Sequence, residues 1–133
     1  MTTLSVERQY PIVAIEEVNY DELPSGQAVN VIKLPVNAIV LNAGAFVDAA
    51  TNAGTSSLLD LGDGDASDLY VSDLDTQVAG ESATIDLTEV GKKYPSGGFI
   101  TATRTETGAP ATAGKIRVFA SYVVLHRANE VQT

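Results

Sequence analysis

A chain of 133 residues, 44% hydrophobic and 19% charged, has the length of one domain and the composition of a folded one. It is long enough to bury roughly two-thirds of its unfolded surface. Seventeen acidic against eight basic residues give a net charge of −9, which excludes the clustered-cation chemistry that nucleic acids and anionic membrane surfaces require; the absence of cysteine excludes disulfides and thiolate catalysis.

In chain order, residues 1–9 show no compact strand pattern and are expected to form an N-terminal arm. The N-terminal stretch lacks a basic n-region, and its apolar run is broken by Glu16 and Glu17, so it does not read as a signal peptide. No apolar stretch reaches the eighteen or so residues a membrane helix needs. Tyr10–Val18 alternates Ile12, Ala14 and Glu16 against Val13, Ile15 and Glu17, which predicts a strand. A Pro24-Ser25-Gly26 turn leads to a second strand, Ala28–Leu34, and a third, Ala38–Ala49, in which Gly44 marks a bulge or the close approach of another backbone. Thr55–Gly64, Asp68–Asp75 and Ala83–Leu87 are strand-like. Thr88–Gly98 allows at most one helical turn, capped by Thr88 and stopped by Gly91 and Pro95.

Phe99–Glu106 alternates well and ends in the loop Thr107–Gly114. The last strand, Lys115–Arg127, is the strongest. Ile116, Val118, Ala120, Tyr122 and Val124 share one face, and Phe119, Val123 and Leu125 the other. Apolar residues on both faces predict a central strand covered on both sides, with Val118, Ala120, Tyr122 and Val124 lining a core between two sheets. Residues 128–133 read as a loose polar tail. Eight or nine short strands about a dozen residues apart, without a long helix, predict an all-β, single-domain β-sandwich over residues 10–127, jelly-roll or Ig-like.

The stretch LLDLGDGDASDLYVSDLD, Leu58–Asp75, holds six aspartates and poses a choice between a cation loop and an acidic turn. An EF-hand loop begun at Asp63 fits at Asp65. It fails at Asp68, where glycine is required, and at Leu74, where a bidentate glutamate is required. Apolar Leu59, Leu61, Leu69, Val71 and Leu74 flank a Gly/Asp-rich turn, so the stretch reads as a hairpin with solvated acids and no metal.

No catalytic constellation emerges. His126 is the single histidine and has no nucleophile and orienting acid grouped with it in the sequence. Glu16 and Glu17 point to opposite faces of one strand and cannot act as an acid–base pair. Tyr94–Gly98, YPSGG, lacks the Lys-Ser/Thr of a phosphate loop and reads as a loop entering the next strand. Five Tyr, three Phe and no Trp supply little for a sugar-stacking platform. The chain reads as a non-enzyme without a cofactor.

The core does resemble a known pattern. Leu34-Pro35, Gly54-Thr55-Ser56, Leu59 to Gly64 and Asp68-Leu69-Tyr70, followed by the terminal strand Ala113–Val124, resemble small β-sandwich structural proteins of tailed bacteriophage virions, the capsid decoration or cement proteins. The resemblance implies a virion component on the capsid surface, assembled in the host cytoplasm as a homo-oligomer, dimer or trimer, and partnered by the major capsid protein. The segment expected to make capsid contact is Thr2, Thr3, Leu4, Ser5, Val6, Glu7, Arg8 and Gln9, joined by loop ends such as Asn19–Gln27. Two other classes stand beside it: a head-fibre or tail-associated receptor- or carbohydrate-binding module, and a small hydrolase or isomerase on a sandwich or cupin-like scaffold, which a single histidine makes hard to equip.

Overall fold

The computed structural model describes residues 7–84, 89–127 and 130–131. The strands are β1 (Glu7–Arg8), β2 (Ile12–Asn19), β3 (Ala28–Leu34), β4 (Ala38–Ala49), β5 (Ser56–Gly62), β6 (Val71–Asp75), β7 (Ser82–Thr84), β8 (Lys93–Tyr94), β9 (Gly98–Thr107), β10 (Lys115–Val124) and β11 (Glu130–Val131). One 3-10 turn, Tyr20–Glu22, joins β2 to β3. Nine strands form two antiparallel sheets. The first runs β2-β10-β4-β7, with β8 also on β4, and the second runs β3-β9-β5-β6. A short β1-β11 ribbon stands apart from both. The chain is thus a single-domain all-β sandwich. It crosses from one sheet to the other after β2, β3, β4, β6, β8 and β9.

The two inner faces differ in size. The first sheet contributes mostly small side chains, among them Ala43, Ala45, Val47, Val118 and Ala120, and the second contributes Leu59, Leu61, Leu74 and Ile100. Large against small lets the layers interdigitate at interior packing density. Ile116, Val118 and Ala120 of β10 are fully buried, while Tyr122 and Val124 are half-buried towards the end of the strand. The strand stops at Val124, short of the predicted Arg127, because His126 turns the chain with φ 70°.

One expectation needs correction, and one open alternative is decided. β10 is central, between β2 and β4, but its outer face is not covered by another layer among the described residues. Phe119 and Val123 on that face remain half-exposed. Their apolar character serves packing within the sheet: a Cβ on Gly44 would lie 2.5 Å from the Ala83 carbonyl oxygen and 2.8 Å from the Phe119 ring. Gly44 is therefore the close approach and not the bulge. The bulges fall at Leu41 and Asp48, where the β4–β10 register shifts.

Candidate functional site

The acidic stretch folds as β5 and β6 paired antiparallel, joined by residues 63–70 in a loop far longer than a two-residue turn. At its start the chain doubles back tightly. A Cβ on Gly62 would lie 2.0 Å from the Ala66 carbonyl oxygen, so only glycine fits. The Asp63 N–H donates to that carbonyl at 3.0 Å. Asp63 Oδ1 in turn accepts the backbone N–H groups of Asp65 (2.9 Å) and Ala66 (3.1 Å).

Asp63 corrects the picture of solvated acids, because its side chain is only 2% exposed. Its second oxygen, Oδ2, accepts the Tyr94 hydroxyl at 2.7 Å and the Lys92 ammonium. The Tyr94 hydroxyl lies 2.5 Å from that of Tyr70, and Lys92 also reaches Asp65 at 3.3 Å. Burial acts to raise the Asp63 carboxyl, but the hydrogen bonds from Lys92, Tyr94 and the Ala66 and Asp65 amides outweigh it and hold the group below the usual carboxylate range. Burial likewise opposes the Lys92 charge, and its bond to Asp63 overrides this and raises the ammonium. Tyr94 is driven far above the ordinary phenol range by burial and by its bonds to Asp63 and Tyr70. Tyr94 is therefore a neutral donor to an ionised acid.

Chemically this is a clamp. Four donors fill the four lone-pair directions of the Asp63 carboxylate, so a cation or substrate could reach it only by displacing Lys92. The clamp ties the β5–β6 loop of one sheet to β8, which pairs with β4 of the other. A cleft of about 240 Å³ opens beside it, lined by Asn30, Asp65, Gly97, Gly98 and Phe99 together with Asp63 and Tyr94. Two of the remaining aspartates bond to backbone: Asp60 Oδ1 of β5 accepts the Asp73 N–H of β6 at 2.8 Å, and Asp75 Oδ1 accepts that of Gln77 in the following turn at 2.9 Å. Among the described residues no three His, Cys, Asp or Glu side chains converge as a metal-ligand group. Chelator is therefore expected to leave the thermal midpoint unchanged. A bound ion at a hundred times its dissociation constant would add about 2.7 kcal/mol, so a rise of several degrees with millimolar calcium, reversed by EDTA, would refute this.

A second buried polar cluster was not legible in the sequence. Arg104 is 3% exposed and points inward from β9. Its Nε donates to the Leu23 carbonyl (3.2 Å), Nη2 to the Tyr20 carbonyl (3.3 Å), and Nη1 to Glu106 (2.7 Å) and to Ser57 Oγ (3.3 Å). Thr76 Oγ1 extends the chain, 2.9 Å from the Ser57 carbonyl, 2.7 Å from Ser57 Oγ and 2.8 Å from Thr51 Oγ1. Thr76 Oγ1 donates towards Ser57, to its carbonyl or its Oγ, and Thr51 Oγ1 can donate to Thr76. The cluster fastens the β2–β3 turn onto the sandwich.

No protein-family model matches the chain, and no curated protein matches it. Three solved phage capsids contain chains of this fold. A chain of the cyanophage Pam1 capsid asymmetric unit matches with a TM-score of 0.68 at 21% identity, covering 92% of this chain and 94% of its own. A chain of the Ralstonia phage GP4 capsid matches at 0.65 and 15% identity, covering 96% and 92%. One from the acid-stable capsid of Helicobacter pylori bacteriophage KHP30 matches at 0.56 and 14% identity, covering 89% and 98%. At these identities the likeness establishes a common fold across nearly the whole of each chain.

Of the segment expected to make capsid contact, Thr2 to Val6 lie outside the described residues. Glu7 and Arg8 form β1 and pair with Val131 and Glu130. Gln9 is half-buried, its amide nitrogen donating to the Val124 and Arg127 carbonyls (2.7 and 2.8 Å) and its oxygen accepting the Val124 N–H (2.8 Å). The residues of that segment nearest the domain are thus fastened to the end of β10. His126 is exposed in the turn just beyond, and Glu17 pairs with Lys115 at 2.6 Å on the outer face, so neither joins a catalytic group.

Proposed function

We propose that the protein is a bacteriophage virion structural protein, a capsid decoration or cement protein that binds the outside of the head as a homo-oligomer and stabilises it. The observation that carries this reading is the match of fold with chains of three phage capsids, spanning 89–98% of every chain involved; a shared core fragment would not extend so far. The strand order supports it. Leaving aside β8 and the β1-β11 ribbon, eight strands divide four and four in the β2-β10-β4-β7 and β3-β9-β5-β6 order, which we read as a jelly roll, an architecture that viral capsid domains use. Acidic character favours the outer surface, since a chain of charge −9 is repelled by packaged genome inside the shell. Both polar clusters join separate segments of the sandwich, a structural role that suits a scaffold.

The contact we assign is the segment Thr2–Gln9, with the major capsid protein as partner. Because Gln9 is bonded into the domain, the informative truncation removes residues 2–6. It is expected to weaken co-sedimentation with capsids lacking the protein while leaving the thermal midpoint of the free protein in place. Full-length protein should also raise the resistance of such capsids to heat and low salt. If it neither sediments with capsids nor protects them, and binds host cells or glycans instead, the receptor-binding class replaces this reading.

A further inference from the structure

The two sheets expose four edges, and three are guarded in ways that prevent pairing with another chain. β3 carries exposed Lys33 and a register break between Asn30 and Ile32. β6 is five residues long, with Asp73 at φ 56° and a terminal Asp75. Among the described residues the β7/β8 edge consists of three- and two-residue strands. Lysine, breaks in register, charge and short length are the usual protections of a sheet edge. β2 has only the charge of Glu16 and Glu17, both in the second half of the strand. It is eight residues long with neither Lys nor Pro, it runs in unbroken register along β10 from Ile12 to Asn19, and it presents Val13 and Ile15 at 59% and 64% exposure.

Its free hydrogen-bonding groups can be assigned. The Tyr20 N–H donates to the Gly114 carbonyl, one step beyond the Asn19–Lys115 pair of the β2–β10 ladder. Antiparallel pairs alternate between bonded and non-bonded, so Ile12, Ala14, Glu16 and Val18 bond to β10, and the N–H and C=O groups of Val13, Ile15 and Glu17 face away from it.

We propose that this edge pairs with the same edge of a second copy, β2 against β2 antiparallel, about a two-fold axis at Ala14. This deepens the homo-oligomer part of the reading above and is independent of the capsid assignment. In that register Val13 of each copy exchanges both backbone bonds with Ile15 of the other, and the Glu17 N–H meets the other copy's Pro11 carbonyl. Pro11, lacking an N–H, ends the ladder on each side. The four β-branched side chains form one apolar stripe across the axis, beside Phe119 of each copy, which pairs with Ile15. Charge selects a second copy over an arbitrary strand. The register sets Glu16 opposite Ile12 and Glu17 opposite Pro11, so no acid faces an acid. The two Glu16 residues lie four positions apart along the strands, about 13 Å, beyond the Debye length of about 8 Å at physiological salt.

The free full-length protein is expected to sediment as a dimer, and Val13→Lys combined with Ile15→Lys is expected to yield a folded monomer. The chain has no cysteine, so Ala14→Cys supplies a single reporter on the axis, where facing residues approach most closely. Mild oxidation should convert it to a covalent dimer, while Asn30→Cys, on the guarded edge of the other sheet, should stay monomeric on a denaturing gel. A trimer, a monomer at all accessible concentrations, a dimer indifferent to the lysine pair, or an Ala14→Cys protein that does not cross-link would each overturn the proposal. Failure of capsid binding with these results intact would count against the capsid reading alone.

Discussion

Replacing Val118 with Asp is expected to leave no folded protein. Val118 is fully buried on β10, in register with Glu16 of β2 on one side and Ala45 of β4 on the other, and its side chain faces the second sheet. A carboxylate there meets no cation: among the described residues the two buried ion pairs, Asp63–Lys92 and Arg104–Glu106, engage partners elsewhere. An uncompensated buried charge costs several kcal/mol, against a total stability of about 5–15 kcal/mol for a domain of this kind. Val118→Thr, nearly identical in shape, buries only a hydroxyl. It should fold with a loss of about 1–3 kcal/mol, showing that charge and not shape is responsible. A soluble Val118→Asp protein with native circular dichroism would mean that β10 lies at an edge.

Lys92→Met is expected to destabilise the protein by about 3–5 kcal/mol at pH 7, because it strands the Asp63 carboxylate in the interior. For a chain of this size that is a fall of roughly 4 °C in thermal midpoint per kcal/mol. The pH dependence identifies the cause. Asp63 is held below the usual carboxylate range, so its contribution is fully present above about pH 4 and is lost as pH falls through its lowered value. Lys92 is raised, so its share is fully present below about pH 10 and is lost as pH rises through its raised value. In the Lys92→Met variant the carboxyl gives up its ammonium partner and protonates more readily, so the deficit should shrink between pH 7 and pH 4. Adding Asp63→Asn should recover part of the loss. Urea unfolding at both pH values measures this, and a deficit unchanged by pH would mean that packing of the Lys92 stem, not its charge, holds the loop.

Local alternation was a sound guide to the strands. Ala28–Leu34 and Ala38–Ala49 have the bounds the pattern predicts, and Phe99–Glu106 is short by one residue at each end. A period of two is set within each strand, so it can be read without knowing the partner. The clamp has no such local signature. Asp63 and Tyr94 are 31 residues apart, and nothing near either residue announces the other. Asp63 looked like one solvated acid among six, and Tyr94 like the start of a loop. The one available hint was the adjacent Lys92-Lys93 pair in a chain with few cations, next to a tyrosine and opposite an acid flanked by glycines. The outer face of β10 misled for the opposite reason. Its apolar alternation is real, but Phe119 fills the space over Gly44 instead of meeting a third layer.

The placement of β9 and β10 has a consequence for how the chain acquires its structure during synthesis. Each is the central member of its sheet, β9 between β3 and β5 and β10 between β2 and β4, yet they are the last two long strands to leave the ribosome. Until Gly98–Thr107 has emerged, β3 has no neighbour; until Lys115–Val124 has emerged, β2 has none. β2 and β3 must therefore wait unpaired while β5 can pair with β6 and β4 with β7 and β8, and both sheets are completed only through pairings that join residues about a hundred positions apart such as Val18 with Ile116. Non-local pairing of this kind places folding in the millisecond-to-second range and leaves apolar edges uncovered while translation proceeds at about 5–20 residues per second. A ribosome-bound chain tethered so that β10 remains in the exit tunnel should be open to protease throughout, and extending the tether by some thirty residues should make the whole domain resistant in one step.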